Sequence, residues 1–186
     1  IVWMYADSTH FQRLTGREAG DGRPTWSPDG RRLAYVEVSY GPPDTMDVFV
    51  VNADGSGRQR ITHDSAYTFD PAWSPDGSKI AYAGKGSPTA FLYHVWLMNA
   101  DGTGRVQLTT NDEHHLAPAW SPDGLHIAYS SNGNTGNREI WIMQADGSGP
   151  RQLTSIGGWE PTWSPDGTRI AFRSFRDGPS EIYLMN

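Results

Sequence analysis

Pro118-Ala119-Trp120-Ser121-Pro122-Asp123-Gly124, followed shortly by Ile127-Ala128-Tyr129, decides how this chain is built. The same Pro-x-Trp-Ser-Pro-Asp-Gly pattern stands at 24–30, 71–77 and 161–167, each time before a short apolar run. A second marker recurs in step with it. It is an apolar stretch ending in Ala-Asp at 1–7, 48–54, 95–101 and 140–146, three copies of which continue as Gly-Ser-Gly or Gly-Thr-Gly. Every copy then closes on a Leu/Ile-Thr pair: Leu14-Thr15, Ile61-Thr62, Leu108-Thr109 and Leu153-Thr154.

Each repeat reads as four short strands. Strand A is Pro-x-Trp-Ser, and Pro-Asp-Gly is the tight turn after it: Pro presets the first torsion, Asp bonds its own backbone, and Gly takes positive φ. Strand B carries Leu33-Ala34-Tyr35, Ile80-Ala81-Tyr82, Ile127-Ala128-Tyr129 or Ile170-Ala171-Phe172. Strand C is the apolar run, and Ala-Asp-Gly-Ser-Gly turns it into strand D.

The spacing of Trp26, Trp73, Trp120 and Trp163, roughly 43–47 residues, falls in the range of propeller blades. Strand C is apolar at nearly every position, as in Val95-Trp96-Leu97-Met98, so both faces of each sheet need cover. Small antiparallel sheets packed radially against neighbours meet that need. The fold class expected is all-β, a β-propeller of four-stranded antiparallel blades with about four blade equivalents. The chain is one domain, 1–186. Residues 1–19 hold strands C and D of a split blade; 20–66, 67–113 and 114–156 are full repeats; 157–186 is a last repeat without strand D.

Both ends of the chain are C-type strands, Ile1–Tyr5 and Ile182–Asn186. Residues 11–15 would supply the missing strand D and close a ring of four, leaving 1–5 surplus. The other arrangement is an arc of a larger ring, which leaves apolar faces on both end blades open to self-association. The surplus strand favours the arc.

Composition excludes several functions. Net charge is −6 with no Lys/Arg cluster, which argues against a nucleic-acid partner. No cysteine is present, ruling out disulfides and thiol chemistry. No apolar run is long enough to span a bilayer: the best, 90–98, is short and broken by His94, so membrane insertion is not expected. The chain carries no signal peptide and opens abruptly on a strand, so that absence decides nothing.

Trp-Ser-Pro-Asp-Gly, Ile-Ala-Tyr, an apolar strand and Ala-Asp-Gly-Ser-Gly together resemble the TolB-like, WD40-like (PD40-type) β-propeller repeat family, over essentially the whole chain. The resemblance implies a propeller, six-bladed in TolB-type proteins, that works by protein–protein contact in the periplasm or another exported location. The α/β domain that precedes such propellers has no counterpart in these residues. Similar repeats form propellers of prolyl-oligopeptidase-type serine peptidases and tricorn-like proteases, and fold analogy alone does not choose among these roles.

In a four-stranded meander the A–B and C–D turns fall on one rim, and these are uniform. The opposite rim differs in every repeat: B–C loops at 37–47, 83–94, 130–139 and 173–181, and D–A loops at 16–23, 63–70, 110–117 and 155–160. That variable rim is the candidate binding surface. Seven tryptophans sit on strand A or C and are explained by packing. Trp159 alone is off-template, either an interface anchor or a plug of the channel mouth. Tyr67 and Phe69 are similar. Asp70 and Glu160 share the slot before the strand-A Pro with Arg23 and Ala117, and this slot should ring the central channel. Converging carboxylates there would suit Ca²⁺, although pairing with Arg23 or plain solvation is the stronger expectation, so no cofactor is assigned. His115, beside His114, Asp112 and Glu113, joins the rim set as part of a solvated loop, since adjacent histidines alone are a weak zinc signal. Residues 132–137 lack the carboxylates of a calcium loop, and Asp-Gly-Ser-Gly precedes no helix and is a hairpin turn rather than a phosphate cradle.

No Gly-x-Ser-x-Gly elbow and no His-Glu-x-x-His occurs, so the chain itself is not expected to be an enzyme. The reading is a non-enzymatic interaction module presenting Arg23, Tyr67, Phe69, Asp70, His115, Trp159 and Glu160 to a protein partner. Its alternative is a propeller that gates a serine peptidase domain outside these residues.

Overall fold

The computed structural model describes residues 1–4, 7, 9, 11–15, 20–41, 44–63, 67–132 and 137–186, without the Trp3 side chain. Parts of the loops 16–23, 37–47, 63–70 and 130–139, most of the 132–137 stretch and the end of the first strand lie outside the described residues. Blade 1 holds β3 (Gly20–Trp26), β4 (Arg32–Ser39), β5 (Thr45–Asn52) and β6 (Gln59–Arg60), preceded by a ribbon of β1 (Val2–Trp3) and β2 (Gln12–Arg13). Blade 2 is β7 (Thr68–Trp73), β8 (Lys79–Gly84), β9 (His94–Asn99) and β10 (Val106–Gln107). Blade 3 is β11 (His115–Trp120), β12 (His126–Ser131), β13 (Glu139–Gln144) and β14 (Arg151–Gln152). Blade 4 has three strands, β15 (Trp159–Trp163), β16 (Ile170–Ser174) and β17 (Glu181–Met185). Strands pair antiparallel in chain order within each sheet, as the repeat demands, and the whole is a β-propeller.

The motif that sets the repeat is a hydrogen-bonded turn. In blade 3 the Ser121 hydroxyl donates to Asp123 Oδ1 at 2.5 Å and accepts from the His126 amide at 2.9 Å. Asp123 Oδ1 also accepts from the Leu125 amide at 2.9 Å. Gly124 closes the turn at φ 72°, and Gly30, Gly77 and Gly167 do so at 66–70°, a conformation glycine takes without a Cβ penalty. The same bonds recur at Ser27/Asp29, Ser74/Asp76 and Ser164/Asp166.

Blades pack face to face. Ala34, Val48 and Val50 of blade 1 meet Trp73, Ile80, Tyr82 and Met98 of blade 2. Ala81 and Val95 of blade 2 then meet Ile127, Tyr129 and Met143 of blade 3. The strand-B alanines Ala34 and Ala81 are fully buried at these seams, where a larger side chain would force the sheets apart, and Ala128 of blade 3 is fully buried as well. The Leu/Ile-Thr pair also has a structural task. Thr62, Thr109 and Thr154 are buried, and each hydroxyl accepts from a strand-C amide, Val48, Val95 or Ile140, at 2.8–3.0 Å. That bond satisfies an inner amide where the short strand D has ended.

The two terminal faces differ from the seams. Leu33, Tyr35, Phe49 and Val51 are covered by Leu14 and Ile1 of the ribbon, yet Trp26 is 48% exposed where Trp73 is 7%. On blade 4, Ile182 is 72% exposed, whereas Val48, Val95 and Ile140 at the matching position are fully buried, and Leu184 on the same face is 65% exposed. Residues 12–13 pair with β1 and do not complete blade 4.

Candidate functional site

The four residues before the strand-A prolines converge. Arg23, Asp70, Ala117 and Glu160 line one depression of about 250 Å³ together with their prolines. They are the non-glycine residues with positive φ among those described, at 54°, 54°, 50° and 54°. A bulge causes this: the A–B register slips between Gly22 and Thr25, Phe69 and Ala72, Leu116 and Ala119, and Trp159 and Thr162. Such bulges favour glycine, and strain at one place in every repeat marks the channel wall as tightly determined.

Asp70 is committed inside this ring. It pairs with Arg23 and accepts from the Ala117 amide at 3.2 Å. Glu160 faces Arg173 at 3.8 Å, and its amide donates to Ser130 Oγ at 3.0 Å. The two carboxylates therefore answer to different arginines, and no group of three or more His, Asp or Glu converges among the described residues. This donor set does not fit a calcium ion.

Above the channel, on the variable rim, an aromatic and basic cluster joins blades 2 and 3. Phe69 and Tyr93 lie 4.8 Å apart between ring centroids, and Tyr93 and His114 5.6 Å. Lys85 Nζ sits over Tyr67 at 5.0 Å and Tyr93 at 5.1 Å, and Arg23 sits over Phe69 at 5.6 Å. Tyr67 is 37% exposed, and its rim position is fixed by a parallel bridge to Met46. The sequence reading picked out Tyr67, Phe69 and Arg23 but missed Lys85 and Tyr93. Both belong to the divergent 83–94 loop, and that divergence was the signal available.

His115 is placed differently from expectation. It is not on a solvated loop but opens β11, with 2% exposure. Its Nε2 is 2.6 Å from Asn111 Oδ1, and it stands edge-on to Tyr129 at 5.4 Å. Burial, reinforced by His94 and His114, pulls its pKa down to about 4, so the ring is neutral at ordinary pH. Trp159 does not line the channel depression. It opens β15 and stands perpendicular to Phe175 at 5.3 Å, with Arg173 over Phe175 at 5.7 Å. Trp159, Phe175, Arg173 and Glu160 thus form a second aromatic and charged patch, on blade 4.

A cavity of about 640 Å³ opens instead between the uniform turns of blades 2 and 3. Its walls include Pro75, Asp76, Asp123, Gly124 and Asp146, all repeat-template residues. A template position recurs in every blade and confers nothing specific on one, so this cavity is read as scaffold.

A family model described as the TolB beta propeller domain matches residues 48–186. No curated protein matches the chain. Among solved structures, TolB from Acinetobacter baumannii is 27% identical with a TM-score of 0.71, over 83% of this chain and 39% of that one. An oligogalacturonate lyase in complex with manganese is 18% identical with a TM-score of 0.77, over 100% of this chain and 56% of that one. A Mycobacterium tuberculosis puromycin-hydrolyzing peptidase is 15% identical with a TM-score of 0.74, over 97% of this chain and 29% of that one. The chain thus spans well under half the length of the A. baumannii protein. At the identities of the lyase and the peptidase the likeness is one of fold alone.

Proposed function

From a chain that belongs to the TolB beta propeller domain family, we propose a non-enzymatic interaction module, working in the periplasm or another exported location, that presents its variable rim to a protein partner. The observation that carries this reading is the Tyr67–Phe69–Tyr93–Lys85 cluster. Aromatic rings held by their neighbours and topped by cations are the side chains that dominate protein interfaces. The Trp159–Phe175 patch on the same rim supports it, and so does the contrast with a uniform opposite rim.

The test is partner capture by the chain from a periplasmic extract. The variants are Phe69→Ala with Tyr93→Ala, Trp159→Ala with Glu160→Ala, and Asp146→Ala as a control on the opposite rim. The reading expects capture to fall about ten-fold or more in at least the first pair and to persist in the control. Retention in both rim variants, or equal loss in the control, sinks it.

A further inference from the structure

The strand-B aromatic and its strand-C partner form a cross-strand pair in every blade. The pairs, each in direct register, are Tyr35/Phe49, Tyr82/Trp96, Tyr129/Trp141 and Phe172/Tyr183. Blades 1 and 4 cover theirs with a guanidinium from the chain itself. Arg58 lies 4.4 Å over Phe49, donates from Nε to the Tyr35 hydroxyl at 3.1 Å and from Nη2 to both Glu37 carboxylate oxygens at 2.5–2.6 Å. Arg176 lies 5.0 Å from Phe172 and 4.6 Å from Tyr183. Blade 2 covers its own with backbone: Trp96 Nε1 donates to the Gly84 carbonyl at 3.1 Å, and Gly86 lies against the indole.

Blade 3 has the aromatic pair without the cation. The residue equivalent to Arg58, following the same Asp-Gly-Ser-Gly turn, is Pro150, which has neither charge nor reach. A cavity of about 330 Å³ is left there, lined by Tyr129, Trp141, Pro150, Asn111, Glu113 and His115. Its size lies within the range of small-ligand sites. Glu113 accepts one bond, from Ser131 Oγ at 2.8 Å, and has no ion pair among the described residues. One polar atom of the lining suits an incoming N–H donor: His115 Nδ1 is buried with no hydrogen-bond partner, and with Nε2 facing the Asn111 Oδ1 acceptor it is the accepting nitrogen of the ring. Native interiors seldom leave such groups unmatched.

We propose that this slot binds a guanidinium group from outside, which takes, over the aromatic pair and beside the Glu113 carboxylate, the place that Arg58 and Arg176 fill from within. A planar guanidinium stacks on Trp and Tyr and can fork onto a carboxylate, which a point-charge ammonium does less well. The site lies between blades 2 and 3 and shares Asn111, Glu113 and His115 with the 110–117 loop, but it does not use the Tyr67–Phe69–Tyr93–Lys85 cluster and does not rest on the partner-binding reading.

Calorimetry on the whole chain tests it with three probes: N-acetyl-arginine amide, ethylguanidinium, and N-acetyl-citrulline amide as the neutral isostere. Both cations are expected to bind saturably and the citrulline compound at least about ten-fold more weakly. The tighter cation identifies the source, a peptide-borne arginine or a free guanidino compound. Pro150→Arg should abolish binding by filling the slot from within. Glu113→Gln, a half-buried change that leaves the sheet intact, should weaken it about ten-fold. No saturable heat with either cation, equal binding of citrulline, or undiminished binding in Glu113→Gln overturns the proposal.

Discussion

At Arg23, Asp70, Ala117 and Glu160 the chain holds L-residues at φ of 50–54°, a conformation costing roughly 1–2 kcal/mol each relative to glycine's freedom. Ala117 has no side-chain bond to lose, so Ala117→Gly isolates that cost. Part of the gain is offset by glycine's greater entropy when unfolded. The expected outcome is a stability increase of about 0.5–1 kcal/mol, read as a higher denaturant midpoint with an unchanged slope; an unchanged midpoint shows there is no strain to relieve. His115 gives a second residue-scale prediction. Its folded pKa, about 4, lies below the ordinary 6.5, so the unfolded chain takes up the proton first. Stability is whole above pH 6.5 and declines as pH falls through that window, by on the order of 2 kcal/mol. His94 and His114 are also depressed, chiefly by burial, and add to the trend. His115→Thr, which places there the residue found at Thr68, should flatten most of the slope between pH 6.5 and 4.5 in chemical denaturation. A slope that survives the change assigns it elsewhere.

At the scale of strands and turns, the Leu/Ile-Thr pair is where structure adds most to the sequence. Thr109 is 5% exposed and accepts from the Val95 amide at 3.0 Å. Thr109→Val keeps the shape and removes the acceptor, leaving a buried amide unmatched at a cost of about 1–3 kcal/mol. Thermal or denaturant unfolding would show it, and a loss under about 0.3 kcal/mol would mean that water replaces the hydroxyl. The strands, the Pro-Asp-Gly turns and the opposition of a uniform rim to a variable one were legible in the sequence, because each is written four times at one spacing. The role of the repeating Thr was not legible, since periodicity marks a position without saying what it bonds to. The bulge was also hidden, because a residue before proline reads as extended. The rim cluster was half legible. Tyr67 and Phe69 stood out as off-template, but Lys85 and Tyr93 join them from the other rim loop of the same repeat, and His114 from the next repeat, only through contacts in the folded chain. Trp159 was recognised as unusual, while its partner Phe175 lies in a loop that no repeat anticipates. The burial of His115 was masked by neighbours, Asn111 to His114, that read as polar loop.

At the scale of the molecule, the propeller has closed seams and open flanks. Ile182 and Leu184 present to solvent the face that Val48, Val95 and Ile140 bury in the other blades. An apolar face of that kind promotes association, and Ile182→Glu with Leu184→Glu should abolish concentration-dependent self-association in sedimentation velocity. If the double variant associates as the parent does, this face is not the contact. The functional claim concerns the other axis of the molecule, from the uniform turns to the variable rim. Hydrogen exchange with and without the captured protein partner reads that axis directly. We predict slowed exchange at residues 67–70, 85–94, 111–116 and 157–160, and none at the turns 28–31, 75–78, 122–125 and 165–168. Protection concentrated at those turns, with the rim unchanged, would contradict it.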